Sequence, residues 1–162
     1  MLLYHGSNVA VITPQLIEQT RGLDFGAGFY LTTNETQARR FSQAVTDRRR
    51  RGVPIVSVFE FDIETAQNSL SIQKFERADA DWLRFVVDNR LRKYRGKDFD
   101  VVIGAVADDA VMPSIQAYIG GFLSEEAAII SLEASKLTDQ VCLKSEKALT
   151  LLRFINTYNT RG

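Results

Sequence analysis

Short segments rich in β-branched and aromatic residues lie near both ends and in the middle of the chain, and helical patterns fill the distances between them. These strand-like segments do not alternate regularly with helices, as they would in a parallel βαβ fold. The order therefore predicts an α+β fold with a mixed or antiparallel sheet. No repeat, linker or low-complexity stretch divides the 162 residues, so we expect a single domain over residues 1–162.

Five segments are predicted to be strands from their β-branched and aromatic content: Leu2–Tyr4, Phe29–Thr33, Ile55–Phe61, Phe99–Val106 and Gln140–Leu143. The turn-forming residues His5–Asn8 directly follow the first of them, so we expect that strand to end there. Three glycines in Gly22–Gly28 predict a loop with unusual backbone angles.

Helices are predicted from capping residues and apolar periodicity. Asn34 followed by Gln37 has the spacing of a capping box, and the helix is expected to run to the arginines at 48–51. Its buried stripe is predicted to be Ala38, Phe41 and Val45. Two further helices are predicted over residues 79–91 and 112–119, and a third begins after a cap at Ser124. A last helix is predicted to begin after a cap at Ser145 and to carry Ala148, Leu152 and Ile155.

The chain contains one histidine, His5, and one cysteine, Cys142. A structural zinc site needs four ligands of these types, and one cysteine cannot form an intramolecular disulfide, so both features are excluded. Any histidine-based mechanism has to use His5. Because Cys142 alternates with Val141 and Leu143 on a short strand, a buried structural thiol is favoured over a nucleophile.

Charge gives no general argument for a nucleic-acid partner, because 20 Lys and Arg balance 20 Asp and Glu. Local clusters remain, at Arg39–Arg40, Arg48–Arg51 and Arg90–Lys97. The arginine run is expected to be a solvated helix end, with a surface for phosphates as the alternative. Since there is no signal sequence and no apolar run of about 18 residues, we expect a cytoplasmic protein without membrane contact.

Three motifs are informative as a set: Tyr4–Ser7, Gly26–Tyr30 and Asp139–Leu143. In this order they resemble motifs of the ADP-ribosyltransferase superfamily, in its His-Tyr-Glu branch, which includes the poly(ADP-ribose) polymerase catalytic domains. The sequence is more similar still to the small bacterial DUF3990 family, over nearly the whole chain. The resemblance implies an ADP-ribosyltransferase-like fold, with a split mixed or antiparallel sheet flanked by helices.

The resemblance also implies a set of contacts with NAD, the substrate, in a cleft between the halves of the sheet. His5 would bind the adenosine ribose, and the backbone of Gly6 would meet the nicotinamide amide. Ser7 would add a hydroxyl, and Tyr30 would stack on the nicotinamide ring. Gln140, at the start of the late strand, is the implied catalytic residue and would bind the 2′-hydroxyl of the nicotinamide ribose.

Gln140 is a departure from the superfamily pattern, which has glutamate there. A carboxylate stabilises the positive charge that develops at the anomeric carbon, whereas an amide only forms hydrogen bonds. Losing one such preorganised group costs about 2.7–4 kcal/mol, or roughly 10²–10³ in rate. Asp108 or Asp109, just after a predicted strand, is a candidate source of the missing charge; alternatively, the two acids cap the next helix.

The implied function is transfer of ADP-ribose from NAD to a protein or nucleic-acid acceptor, or hydrolysis of NAD, by a toxin component with a small antitoxin-like partner. The first alternative is a weak or inactive NAD-binding or protein-binding module of the same fold. A ribonuclease based on His5 and the arginines is disfavoured, because it lacks a second acid/base group. Taken singly, Gly26–Gly28 is an ordinary hairpin turn, Tyr30 a core residue and Gln140 a strand start.

Overall fold

The computed structural model describes residues 1–18 and 21–162. Its strands in chain order are β1 (Leu2–Ser7), β2 (Phe29–Leu31), β3 (Ile55–Phe61), β4 (Ile72–Lys74), β5 (Val101–Ala105), β6 (Asp139–Leu143) and β7 (Leu152–Asn159). Its helices are α1 (Glu35–Arg49), α2 (Ile63–Ser69), α3 (Ala80–Arg90), α4 (Met112–Ile119), α5 (Glu125–Glu133) and α6 (Glu146–Thr150). Within the described ranges, no helix has both the length and the apolar character needed to cross a bilayer.

The strands form two sheets. One is antiparallel, with the order β1-β3-β7, and the other is mixed, with the order β2-β6-β5-β4, in which only β4 and β5 run parallel. The predicted α+β class with mixed or antiparallel sheets is therefore confirmed.

The two sheets meet at Tyr4 of β1 and Thr32, just after β2. Each residue donates its N–H to the carbonyl oxygen of the other, at 2.9 Å in both directions. Among the described residues, this isolated bridge is the backbone pairing between the sheets. Beyond it, on the side of Gly6, the sheets separate, and we call this place the split.

Both faces of the mixed sheet are buried, in different cores. Alternate residues of β6 show this most clearly: Cys142 packs in the core that contains Trp82 of α3, whereas Val141 and Leu143 pack in the core that contains Phe59 of β3. Helices α3, α4 and α5 cover the Cys142 side of the sheet. A strand with two buried faces explains the nearly continuous apolar run over Val141–Leu143.

Helix α1 begins as predicted but buries a different stripe. The side chain of Asn34 accepts the N–H of Gln37, at 2.9 Å. The buried residues of α1 are Ala38, Ser42, Val45 and Thr46. The expectation that Phe41 is buried is wrong: 51% of it is exposed. The reason is that α1 lies so close to β1 that small side chains face the strand.

Two boundaries differ from the sequence-based expectation because long-range pairing decides them. His5–Ser7 continue β1, paired with Ile55–Ser57 of β3, and do not form the expected turn. The last predicted helix is also wrong beyond its first turn, because α6 ends at Thr150. Leu152 and Ile155, which the sequence predicts on that helix, belong to β7. That strand pairs with the full length of β3, far away in the sequence.

Candidate functional site

The ring of His5 is held at the split by a main-chain group of the other sheet. Its Nδ1 atom lies 2.8 Å from the carbonyl oxygen of Tyr30, and the ring stacks on Phe29 with centroids 4.4 Å apart. Because a carbonyl oxygen only accepts, Nδ1 carries the proton. Burial lowers the pKa of His5, so the ring is neutral at neutral pH and its Nε2 atom is an acceptor.

Nε2 of His5 and the hydroxyl of Ser7 are available at the same place. Neither atom has a hydrogen-bond partner among the described residues, and neither is completely enclosed, although Ser7 is only 9% exposed and His5 is partly buried. The two residues are separated by one position on β1 and share a face of that strand. They form a small polar surface beside the split.

The backbone of Gly6 faces the split. In an antiparallel strand, alternate residues direct their N–H and C=O groups to the same side, and Tyr4 directs both toward Thr32. Gly6 therefore points both groups away from β3. Continued past the bridge, the register would place Gly6 opposite Tyr30, but the Tyr30 carbonyl oxygen is bonded to His5 instead.

Gly6 also has a packing role. A Cβ atom added there would lie 2.1 Å from the main-chain oxygen of Ala38 in α1 and 2.9 Å from the nitrogen of Ser42. Only glycine permits this approach of helix and strand. The same residue thus positions α1 and leaves its backbone open at the split.

Tyr30 points to the opposite side of the sheet from Phe29, toward Cys142. Its hydroxyl donates to the carbonyl oxygen of Gly26, at 2.5 Å, and accepts the N–H of Phe25, at 3.0 Å. Burial raises the pKa of the Tyr30 phenol. His5 thus contacts the main chain of Tyr30, whereas the Tyr30 side chain anchors the loop at residues 22–28, which we call the 22–28 loop.

Cys142 is a buried structural thiol. It is fully buried between α3 and the mixed sheet, and burial raises its pKa to about 12. A thiol with that pKa stays protonated at neutral pH and is a poor nucleophile. The structure thus agrees with the sequence-based interpretation of this residue.

Gln140 lies on the same side of β6 as Cys142 and belongs to a buried polar network. Its Nε2 atom donates to Oδ2 of Asp24, at 2.9 Å, and to the carbonyl oxygen of Ala105, at 3.3 Å. Oδ2 of Asp24 also accepts the N–H of Ala107, at 3.0 Å, and Oδ1 pairs with Arg90 of α3, at 2.6 Å. We call Asp24, Arg90 and Gln140 the Asp24 network.

The acid that contacts Gln140 is therefore Asp24, on the 22–28 loop, and not Asp108 or Asp109. The carboxylate of Asp108 accepts the N–H of Ala110, at 3.0 Å, in the turn that leads into α4. Among the described residues, neither of these two acids has a contact with Gln140. Sequence reasoning missed Asp24, although an acid inside a glycine-rich loop is a signal that could have drawn attention to it.

The 22–28 loop is anchored by several elements at once. Besides Tyr30 and Gln140, Lys144 after β6 donates to the carbonyl oxygens of Phe25, at 2.5 Å, and Ala27, at 2.8 Å. The loop is thereby held against the face of the mixed sheet that carries Tyr30 and Gln140.

Each of the three arginine clusters has a structural partner, and in the first of them Arg39 pairs with Glu35 at 3.1 Å. Arg48 and Arg49 form the last turn of α1, and Arg49 also donates to Asn8 after β1. Arg90 pairs with Asp24 and is only partly exposed. Arg49 and Arg90 hold secondary-structure elements together.

A family model with the description "Protein of unknown function (DUF3990)" matches residues 1–154. The chain belongs to the DUF3990 family. No curated protein gives a significant match, and neither does any solved structure. The matched region of this DUF3990 chain includes both parts of the candidate site, namely the polar surface beside the split and the Asp24 network.

In this DUF3990 protein, the predicted site residues fall into two groups. His5, Gly6 and Ser7 lie together on β1 at the split. Tyr30 and Gln140 lie on the helix-covered side of the mixed sheet, joined through the 22–28 loop. The main-chain oxygen of Tyr30, bonded to His5, links the two groups.

Proposed function

We propose that this DUF3990 protein has an ADP-ribosyltransferase-like fold and uses NAD as a substrate. The observation that supports the proposal best is the split at Gly6. Within residues 1–18 and 21–162 the two sheets meet at one isolated bridge, and the next backbone groups of β1 are left facing the gap. The resemblance to ADP-ribosyltransferases implies that NAD lies in a cleft between two halves of a sheet, and we propose that the split is this cleft.

The groups beside the split suit the polar parts of NAD. A carboxamide has an N–H donor and a C=O acceptor, and the backbone of Gly6 offers the complementary pair from one residue. Nε2 of His5 is an acceptor for a ribose hydroxyl, since Nδ1 is bonded to Tyr30. Ser7 adds a hydroxyl that donates or accepts.

The proposed reaction breaks the bond between the nicotinamide nitrogen and the ribose. Positive charge develops at the anomeric carbon as nicotinamide leaves with the bonding electrons, and a nucleophilic acceptor or water attacks that carbon and loses a proton. Tyr30 would stack on the nicotinamide ring and Gln140 would bind the ribose 2′-hydroxyl. These roles follow from the resemblance.

Nicotinamide release tests the proposal. The protein is incubated with NAD, free nicotinamide is measured, and added protein or nucleic acid is analysed for a mass gain of one ADP-ribose unit. The matched control is His5→Asn, which keeps an N–H donor for the Tyr30 carbonyl oxygen but removes the Nε2 acceptor. We expect the wild type to release nicotinamide and His5→Asn to release much less. Equal release by both proteins would contradict the assignment of His5.

A second candidate function is NAD or protein binding without turnover. The observation that favours it is the Asp24 network, in which the negative charge of Asp24 is paired with Arg90 and the group beside it is a neutral amide. Saturable NAD binding without nicotinamide release would select this alternative.

The resemblance also leads us to propose that the protein is a toxin component bound by a small antitoxin-like protein. Regulated expression in a bacterial host tests the toxicity. The wild type is expected to slow growth and His5→Asn to relieve the effect; equal growth of both cultures at equal protein levels would contradict the proposal.

A further inference from the structure

Both N–H groups of the Gln140 side chain are already used inside the protein. One donates to Oδ2 of Asp24, at 2.9 Å, and the other to the carbonyl oxygen of Ala105, at 3.3 Å. A primary amide has two N–H donors and one carbonyl oxygen, so Oε1 is the atom that remains. Among the described residues Oε1 has no hydrogen-bond partner, and it is not completely enclosed, although the residue as a whole is only 7% exposed.

Asp24 determines this orientation. Its side chain is nearly fully buried, with Oδ1 paired to Arg90 at 2.6 Å and Oδ2 bonded to the N–H of Ala107 at 3.0 Å. Since a carboxylate oxygen only accepts, Gln140 must direct Nε2 toward it. If the amide were reversed, its oxygen would face both Oδ2 of Asp24 and the Ala105 carbonyl oxygen.

We propose that Asp24 is a positioning residue that locks Gln140 with Oε1 facing outward, as the acceptor for a ribose hydroxyl of NAD. The inference rests on the proposed function. A glutamate at this position would also present an acceptor and no donor. The locked glutamine likewise presents an acceptor and no donor, although it lacks the charge of a carboxylate.

The test is Asp24→Asn, measured as the rate of nicotinamide release. Arg90 is the stronger donor because it is charged, so it is expected to keep the oxygen of the new side chain. The NH₂ group of the asparagine then faces both the Gln140 amide and the N–H of Ala107, so Gln140 loses the acceptor that fixes its orientation and Oε1 is no longer held outward. We expect kcat to fall by roughly 10²–10³, while KM for NAD changes by less than about threefold.

A double variant restores an outward acceptor and adds the charge of a carboxylate. In Asp24→Asn combined with Gln140→Glu, the glutamate accepts from the asparagine with one oxygen and presents the other outward. This exchange is expected to recover kcat by at least about tenfold over Asp24→Asn. Failure to recover, in a folded double variant, would overturn the inference.

The matched control is Lys144→Met. Lys144 anchors the same loop through Phe25 and Ala27 but does not contact Gln140. If Asp24 acts only by holding the loop, both variants lose activity equally, and the inference is overturned. We expect Lys144→Met to keep kcat within about threefold of the wild type.

The side-chain amide of Gln140 gives a second readout that does not need turnover. Its ¹⁵N–¹H signals, assigned by their disappearance in Gln140→Glu, are expected to exchange slowly with solvent in the wild type and faster in Asp24→Asn. Unchanged exchange would overturn the inference. Folding of each variant is checked by the emission of Trp82, whose Nε1 donates to Ala105, at 3.1 Å.

The two possible failures are distinguishable. If the wild type releases no nicotinamide and binds no NAD, the proposed function is wrong and the ligand named here falls with it, while the amide exchange still decides whether Asp24 locks Gln140. If the wild type releases nicotinamide and Asp24→Asn releases it at the same rate, only the role of Asp24 is overturned.

Discussion

The Nδ1 atom of His5 lies 2.8 Å from the main-chain oxygen of Tyr30, at the place where the two sheets separate. A continuous ladder would give that oxygen to the N–H of Gly6. The imidazole takes its place, so one side chain replaces a backbone hydrogen bond between the sheets. The chain's single histidine thus marks the split structurally and, in the proposed function, supplies an acceptor beside it.

Stability is expected to depend on the protonation of His5. Burial lowers the pKa of the folded protein's imidazole below the ordinary value of 6.5, so the unfolded chain binds the proton more tightly. The stabilising contribution of neutral His5 to the free energy of unfolding is therefore complete above pH 6.5 and is lost as the pH falls through the folded-state pKa. Urea unfolding of the wild type and His5→Asn at several pH values tests this. A decline of equal size in both proteins would contradict it.

Gly6→Ala is expected to destabilise the fold by about 1–3 kcal/mol, because overpacking forces backbone to move. The new Cβ would meet main-chain atoms of Ala38 and Ser42 in α1, and these cannot turn away as a side chain can. Gly120→Ala is the control, since Gly120 has a φ of −76° and its nearest neighbour is the side chain of Phe122. Thermal unfolding should show a much smaller change in the control. Equal changes would contradict the close approach of α1.

Cys142 is expected to resist alkylation in the native protein at pH 8, since it is fully buried and its pKa is raised to about 12. Labelling should follow unfolding in urea and give one modified thiol per chain. Mass spectrometry of the intact protein measures it. Rapid labelling of the native protein would show that the thiol is accessible.

Tyr30→Phe tests the role of the Tyr30 hydroxyl. It removes the hydroxyl that bonds to Phe25 and Gly26 but keeps the ring, which we propose to stack on nicotinamide. Leaving these two main-chain groups without their partner is expected to cost about 1–3 kcal/mol in the free energy of unfolding, and to make the 22–28 loop more sensitive to proteolysis. Unchanged stability would mean that the hydroxyl does not anchor the loop.

Elements encoded by local patterns were predicted closely from the sequence. The bounds of β3, Ile55–Phe61, and α4, Met112–Ile119, agree with the structure, because a β-rich run and an apolar periodicity determine them. The segment after Ser145 failed because a good helix cap is followed by residues whose strand partner is β3. Pairing between distant segments leaves little trace in a local pattern.

The candidate site shows the same division. His5, Gly6 and Ser7 are adjacent in the sequence, so their motif placed them together. The contact between Asp24 and Gln140 joins residues 116 positions apart, and no local spacing encodes it. The acids proposed from the sequence, Asp108 and Asp109, follow β5 but lie in the turn before α4.

Calorimetric titration of NAD into the wild type and His5→Asn tests the central claim most directly, which is that the split at His5 and Gly6 holds NAD. Folding of both proteins is checked by the emission of Trp82, the single tryptophan. The account predicts saturable binding of one NAD per chain, weakened by about tenfold or more in His5→Asn, since one lost hydrogen bond is worth about 1.4 kcal/mol. No binding by the wild type, or equal affinity in the two proteins, would contradict it.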